Sequence, residues 1–450
     1  MTELFPAPLS AFEQYLLFDN RASFPLDFFV NLEVEGTLDV VCLETAFREA
    51  LKSHSLLAAS VFRKGRRFFW RASDQEPSFE SHQSDQSFEK TAIDIFSEPG
   101  VRMYVIRRPD CYELIFQFHH SATDGLGAFG LISDVLLKYA GEFDGTVQCP
   151  PRDVAKLADR YLCGYHSESV WSRVVKTTKG LLGTREFLGA KIAPVVAHEP
   201  NIDQPRNAAD FPRYLSHEFT ANETDALKRH AKSRGVSLNT LLICDAFIAV
   251  DRAKSRFECY RQDEYIRIAV PGNLRATRVN DGIPAANFFS MTFPVRNPSQ
   301  IKDHDALLRS VHKEVQDGRK CFYFATFYLC LKVVRKLPGL LKRMVNVAHC
   351  QTTLLLTNLG RAISEFPRES ADSPIKFGDA VVSQVEIVAP MRPYQSIAVS
   401  TLEYSGRQIV TLSYDPRVHS DADAEDLLKD FASQLQDRLV VAETSAVSVS

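Results

Sequence analysis

The chain has 450 residues, 45% hydrophobic and 24% charged, with a formal net charge of −3. That length exceeds what one hydrophobic core ordinarily supports, so two lobes or one duplicated lobe are expected. The composition excludes disorder over most of the chain, and the mixed charge signs leave no broad basic footprint for nucleic acid.

Residues 8–18 read as a helix, and 27–36 alternates as a strand ending at a glycine turn. Residues 39–53 carry Val40, Leu43, Phe47, Ala50 and Leu51 at helical spacing. Short strands follow at 57–62, 67–71, 101–107 and 111–118, and a helix at 127–139 closes the first half. Between 141 and 213, prolines and charged pieces replace strand patterns, which marks a crossover. The second half repeats the theme: a strand at 214–219, helices at 223–234 and 238–250, and strands at 265–270, 287–294, 354–357, 380–388, 396–404 and 408–414. An amphipathic helix at 422–439 ends it. The expected division is an N-terminal lobe over 1–175, a linker over 176–212 and a C-terminal lobe over 213–450, each an α/β (α+β) layered unit.

Nine cysteines, widely spaced and without C-x-x-C, suggest neither a disulfide framework nor a zinc cluster, and predict reduced thiols in a cytoplasmic protein. Glu3 and Glu13 interrupt the N-terminus, which lacks the basic and apolar regions of a secretory signal. No stretch reaches the roughly 18 uncharged apolar residues of a membrane span. The nearest approach, 321–331, is followed by Lys332, Arg335, Lys336, Lys342 and Arg343. It reads as a buried helix with a solvated basic rim, or as a surface that touches anionic lipid.

The chemistry-bearing stretch is 113–130, ELIFQFHHSATDGLGAFG. In a strand, Leu114, Phe116, Phe118 and His120 share one face while Gln117 and His119 take the other. His120 therefore ends an apolar row, where desolvation keeps an imidazole neutral and able to accept a proton, as a general base must. Asp124 and Gly125 follow within one tight turn. The carboxylate suits a strut, bracing the loop through backbone N–H groups or a distant arginine, and Gly125 permits positive φ or close substrate approach.

Rival readings fit less well. Gly125, Gly127 and Gly130 spell G-x-G-x-x-G, but polar residues separate the motif from its strand and no second strand offers an acidic residue to a ribose. A metal held by His119, His120 and Asp124 is disfavoured, because neighbouring strand residues point apart. G-x-S-x-G is absent, so no serine-hydrolase nucleophile is indicated and direct transfer is favoured.

HHSATDG at 119–125 resembles the H-H-x-x-x-D-G signature of the chloramphenicol acetyltransferase-like superfamily, which includes peptide-synthetase condensation domains, alcohol acetyltransferases, wax-ester synthases and polyketide-associated acyltransferases. LSAFEQYLLFDN, the stretch from LEVEG to LLAASV, VPGNLRATRVNDGIPAANFFSMTF at 270–293, LLLTNLG at 354–360 and LSYDPRV at 412–418 look like family landmarks in the expected order. The resemblance implies two similar lobes in a V, with the motif beside an interface tunnel. It implies that His120 is the base, that His119 supports it and that Asp124 is structural. It also implies a second-lobe arginine paired with Asp124, matched by Arg275 or else Arg278, and tunnel asparagines matched by Asn287 and Asn358.

No bound cofactor or metal is expected; the donor would be an acyl-CoA or acyl-phosphopantetheine thioester. Expected partners are a small-molecule donor and acceptor, with an acyl carrier protein or a membrane surface as further possibilities. The oxyanion donor stays open among Thr357, Ser400 and backbone N–H groups. The D-F-G-W-G element of plant acyltransferases is absent, KFGDAVV at 376–382 being the nearest text. The alternative to a stand-alone acyltransferase is a non-catalytic member that binds an acyl ligand or partner.

Overall fold

Apolar alternation in the first half and again in the second folds into two separate sheets, each closed on one face by helices. The computed structural model describes residues 4–83, 89–161, 190–196, 211–257, 263–275, 282–321 and 323–447. Arg278 and most of 176–212 lie outside the described residues.

In chain order the first half contains β1 (Ala7–Pro8), α1 (Ala11–Asp19), β2 (Asp27–Gly36), α2 (Val40–Leu51), β3 (Ala59–Lys64) and β4 (Arg67–Ala72). It continues with β5 (Ser78–Gln83), β6 (Val101–Arg107), β7 (Tyr112–His119), α3 (Gly125–Phe143) and a 3-10 turn at Val154–Tyr161. The second half has β8 (Arg213–Phe219), α4 (Ala221–Ser233), α5 (Leu238–Arg256), β9 (Ile266–Asn273), β10 (Phe289–Thr292), β11 (Val295–Arg296) and α6 (Pro298–Ile301). Then come α7 (His304–Cys321), α8 (Tyr323–Val334), α9 (Leu340–Val345), β12 (Leu354–Arg361), β13 (Lys376–Phe377), β14 (Ala380–Val388), β15 (Ile397–Tyr404), β16 (Arg407–Tyr414) and α10 (Asp421–Val447).

The first sheet runs β13-β14-β2-β7-β6-β5 and the second β10-β9-β12-β15-β16-β8, with β11 also on β9; β1, β4 and β3 form a small third sheet. Both large sheets are mixed: β5 is parallel to β6, and β12 is parallel to β9 and β15, while the other pairs are antiparallel. One core places α2 and α3 on the first sheet, through residues such as Leu43, Phe47, Leu131 and Leu136. The other places α5 and α10 on the second, through Leu242, Phe247, Leu427 and Phe431.

Two placements depart from the sequence reading. Residues 213–450 were expected to build one lobe, yet β14 pairs with β2 along its length, Ala380 opposite Gly36 and Val388 opposite Phe29. An apolar strand carries no label for its sheet, so the pattern finds β14 but not its neighbour. The strand expected over 287–294 is shorter: Phe289–Thr292 pairs with β9, and 282–288 is an irregular strap.

Helix starts follow their caps. Ser10 and Glu13 form a capping box on α1, and Asp39 accepts the N–H groups of Val41 and Cys42 at 2.9 and 3.0 Å on α2. The helix expected at 127–139 begins at Gly125, because Asp124 is its cap. Among the described residues, no single helix is long and apolar enough to cross a membrane.

Candidate active site

The apolar row of β7 ends as its alternation requires. Phe118 stacks on Phe28 of β2 with ring centroids 5.2 Å apart. His120 lies one residue past the strand, its N–H donating to the Leu26 carbonyl at 2.9 Å. Its imidazole tilts against Phe28 at 5.1 Å and stacks on Phe289 at 5.3 Å, so each lobe supplies one aromatic wall. Nδ1 is 3.1 Å from the Thr123 carbonyl oxygen. A carbonyl can only accept, so Nδ1 carries the proton and Nε2 keeps its lone pair. Burial holds the pKa below its ordinary 6.5, against the opposing pull of nearby hydrogen bonds and the Asp124 carboxylate. The ring is therefore neutral near pH 7.

His119 faces the opposite way and is fully buried. Its Nδ1 accepts the Ser121 N–H at 3.2 Å, which braces the turn below His120. Burial, with His120 beside it, pushes its pKa down to about 3. Opposite it in register lies Asp27, whose Oδ2 accepts the Ile93 N–H at 2.8 Å and the Gln117 amide at 2.7 Å. Burial raises that carboxyl to about 7.

Asp124 joins the two lobes. Oδ1 accepts the Gly127 N–H at 2.8 Å, and Oδ2 accepts the Phe288 N–H at 2.8 Å. Arg275, just past β9, adds a fork, Nη1 to Oδ2 at 2.9 Å and Nη2 to Oδ1 at 2.8 Å. The guanidinium also lies over the Phe288 ring at 5.1 Å and donates to the Ala286 carbonyl at 3.2 Å. Four donors saturate this carboxylate, which suits a strut and leaves it no role as a second base.

The strap reaches the motif from the other side as well. Asn287 Nδ2 donates to the carbonyls of His120 at 2.9 Å and Ser121 at 2.8 Å. The glycines serve this packing. A Cβ on Gly127 would stand 2.2 Å from Thr123 Oγ1 and 3.1 Å from the Ala286 nitrogen. On Gly125 it would meet Leu359 of β12 at 2.6 Å. Gly125 is not in the positive-φ region; what approaches it closely is the chain's own Leu359.

Sequence reasoning missed a second brace. His54, buried after α2, accepts the Ala285 N–H at Nδ1 over 2.8 Å, so its Nε2 carries the proton and donates to Asp134 Oδ2 at 2.9 Å. Arg152 grips the same carboxylate, Nε to Oδ2 at 2.8 Å and Nη2 to Oδ1 at 2.5 Å, and reaches Glu365 at 2.6 Å. Burial lowers the His54 pKa. It would raise that of Asp134, but His54 and Arg152 outweigh it and hold the carboxyl below its usual range. His54, Asp134 and Arg152 share no motif or periodicity, and Phe28 and Phe289 read as ordinary strand residues. Only the fold brings Phe28 and Phe289 to His120, and His54 to the strap at Ala285.

His120, His119, Asp124, Gly125, Arg275 and Asn287 thus share one junction. Asn358 accepts the Gly360 N–H at 2.9 Å in a local turn of β12, one residue before Leu359. Thr357 and Ser400 face each other in register on β12 and β15, and among the described residues the buried Ser400 hydroxyl has no hydrogen-bond partner.

No protein-family model matches the chain. The uncharacterized proteins Rv2305 and MT2362 of two Mycobacterium tuberculosis strains, H37Rv and CDC 1551, are each 21% identical over 373 residues, 76% of this chain and 81% of theirs. Among solved structures, the first condensation domain of the CDA synthetase aligns with a TM-score of 0.69 at 13% identity, over 97% of this chain and 96% of that one. TRI3 trichothecene 15-O-acetyltransferase from Fusarium sporotrichioides aligns at 0.68 and 11%, over 95% and 93%. The starter condensation domain of rhizomide synthetase, in complex with C8-CoA and Leu-SNAC, aligns at 0.66 and 11%, over 97% and 94%. The chain therefore has the two-lobed, chloramphenicol acetyltransferase-like fold of condensation domains and acyltransferases.

Proposed function

We propose that the chain is an acyltransferase that moves an acyl group from a thioester to a hydroxyl or amine acceptor, with His120 as general base. The donor is an acyl-CoA or an acyl-phosphopantetheine on a carrier protein. The observation that carries this reading is the tautomer lock on His120. With Nδ1 fixed on the Thr123 carbonyl and burial disfavouring the imidazolium, a basic Nε2 stands at the junction of the two lobes.

In the proposed step the acceptor's lone pair attacks the thioester carbonyl while its proton passes to Nε2. A tetrahedral oxyanion forms, collapses with cleavage of the C–S bond, and the leaving thiolate takes the proton back from His120. Atoms and charge balance without a protein nucleophile or a resident cofactor. Asp124, Arg275 and Asn287 hold the loop that positions Nε2 and touch no reacting atom in this scheme. The likeness to condensation domains and to an acetyltransferase supports the reaction class.

The test is thiol release from a panel of acyl-CoAs and acyl-pantetheines, offered with hydroxyl and amine acceptors. His120→Ala is expected to lose acceptor-dependent release. Equal release by variant and wild type would remove His120 from the chemistry. Tight acyl binding with no turnover of any thioester would favour the non-catalytic reading.

A further inference from the structure

We propose that the bend between α8 and α9 is a docking surface for an anionic lipid bilayer. The sequence from 318 to 364 contains no Asp or Glu, in a chain whose net charge is −3. Lys336, Lys342 and Arg343 stand exposed there, and among the described residues no carboxylate pairs with them. Arg335 and Lys332 donate to the carbonyls of Leu9 at 3.0 Å and Tyr161 at 3.5 Å, and Lys332 lies over the Tyr328 ring at 5.7 Å; among the described residues neither is paired with a carboxylate.

Set among these cations are Val333, Leu337 and Leu340, exposed by 62%, 52% and 39%. The other large apolar side chains exposed among the described residues are Val41, Phe96 and Phe143, which lie far apart in the sequence. The underside of the bend is firmly seated. Tyr328, Leu331, Leu341 and Val345 are buried with α1, so the three aliphatic side chains are not a loose core. Leu337-Pro338-Gly339 turns the chain with Gly339 at φ 75°, which holds Leu337 and Leu340 out at the tip.

Aliphatic tips ringed by lysine and arginine are the pattern of a segment lying in the headgroup region: the cations meet the anionic surface while the aliphatics enter shallowly. An acidic protein would answer the cations. However, a stable protein contact covers about 800 Å² per partner, far more than three side chains at a turn provide. The helix α8 that leads into the bend is linked to the candidate site through a chain of ring contacts. Phe327 of α8 packs edge-on to Tyr15 at 5.6 Å and to Phe12 at 6.1 Å; Phe12 meets Phe289 at 4.5 Å, and Phe289 stacks on His120. The docking claim stands apart from the acyl-transfer reading, since either can fail alone.

The experiment is co-sedimentation of the full chain with phosphatidylcholine vesicles, with and without phosphatidylserine. Binding is expected only with phosphatidylserine, and it should fall as salt is raised. Lys336→Gln, Lys342→Gln and Arg343→Gln together should weaken it about a hundredfold, at roughly fivefold per cation near an anionic surface. Val333→Ser, Leu337→Ser and Leu340→Ser together should also weaken it, while Lys64→Gln with Arg66→Gln, two exposed cations at the turn between β3 and β4, should not. Melting profiles by circular dichroism check that both sets fold. The proposal is overturned by no binding to phosphatidylserine vesicles, by equal loss in the Lys64/Arg66 control, or by serine variants that bind vesicles and soluble polyglutamate alike.

Discussion

Arg275 and Asp124, 151 residues apart in sequence, meet as a two-bond fork of 2.8 and 2.9 Å at the N-terminus of α3. The contact is the point where the second lobe takes hold of the histidine loop. Both side chains are less than a tenth exposed. Removing one partner of such a pair strands the other charge in a poor solvent, which typically costs about 3–5 kcal/mol, whereas replacing both costs far less.

Asp124→Asn and Arg275→Met are therefore each expected to destabilise the fold by about 3 kcal/mol, and the double variant by less than the sum. Arg275→Lys keeps the charge but cannot make the fork, and should recover only part of the loss. Chemical unfolding of the wild type, the Asp124→Asn and Arg275→Met variants and their double measures the coupling. Additive losses would mean that the fork does not join the lobes.

The pH dependence of transfer follows from the His120 environment. Burial holds the imidazole below 6.5, so the base is intact at neutral pH and is lost as protonation sets in at lower pH. kcat/KM should be flat near neutrality and fall with unit slope on the acid side. Phe289→Ser removes one aromatic wall and lets water in, relieving the desolvation that lowers the pKa. Its acid limb should move to higher pH. A limb that does not move in this variant would show that Phe289 does not set the proton affinity.

How far the site could be read depends on how local each signal is. His120 was legible because two-residue periodicity puts it at the end of Leu114, Phe116 and Phe118, whereas Asp124 reads in the sequence as a loop strut and its capping of α3 comes only with the structure. Arg275 and Asn287 required a resemblance across most of the chain, since nothing in GNLRATR or PAANFF points to a partner far away. His54 and Arg152 were not legible: a histidine after a helix and an arginine after two prolines look like any others. The placement of β14 failed for the same reason. Periodicity tells a strand which face is buried, but not beside which strand it will lie.

His54 offers a check on the second brace. Its Nδ1 accepts the Ala285 N–H, and the strap from that residue carries Asn287 and Phe288 to the histidine loop. His54→Leu leaves the buried Ala285 N–H and one Asp134 lone pair without a partner, at an expected cost of about 2–4 kcal/mol. Asn287→Ala frees the same strap from the loop. If His54 acts through the strap, the kcat losses of the two substitutions should be less than multiplicative. Full multiplicativity would make His54 a core residue with no bearing on the site.

The facing pair Asp27 and His119 gives a prediction about stability rather than rate. Asp27 rises from 3.8 to about 7 on folding, so the folded chain keeps a proton that the unfolded chain has lost. Its contribution is full below about 3.8 and is lost as pH climbs to about 7, on the order of 4 kcal/mol over that window. His119 falls from 6.5 to about 3, so the unfolded chain holds the proton. Its contribution is present above 6.5 and is lost as pH falls toward 3, with a similar size and the opposite slope. Between about 4 and 6.5 the two slopes oppose each other and should nearly cancel in the wild type. Asp27→Asn removes the falling limb, so its stability should climb more steeply with pH than that of the wild type. His119→Gln removes the rising limb and should do the reverse. Guanidinium unfolding midpoints taken from pH 4 to pH 7 read both slopes directly; parallel pH profiles for the three proteins would show that neither group changes its proton affinity on folding.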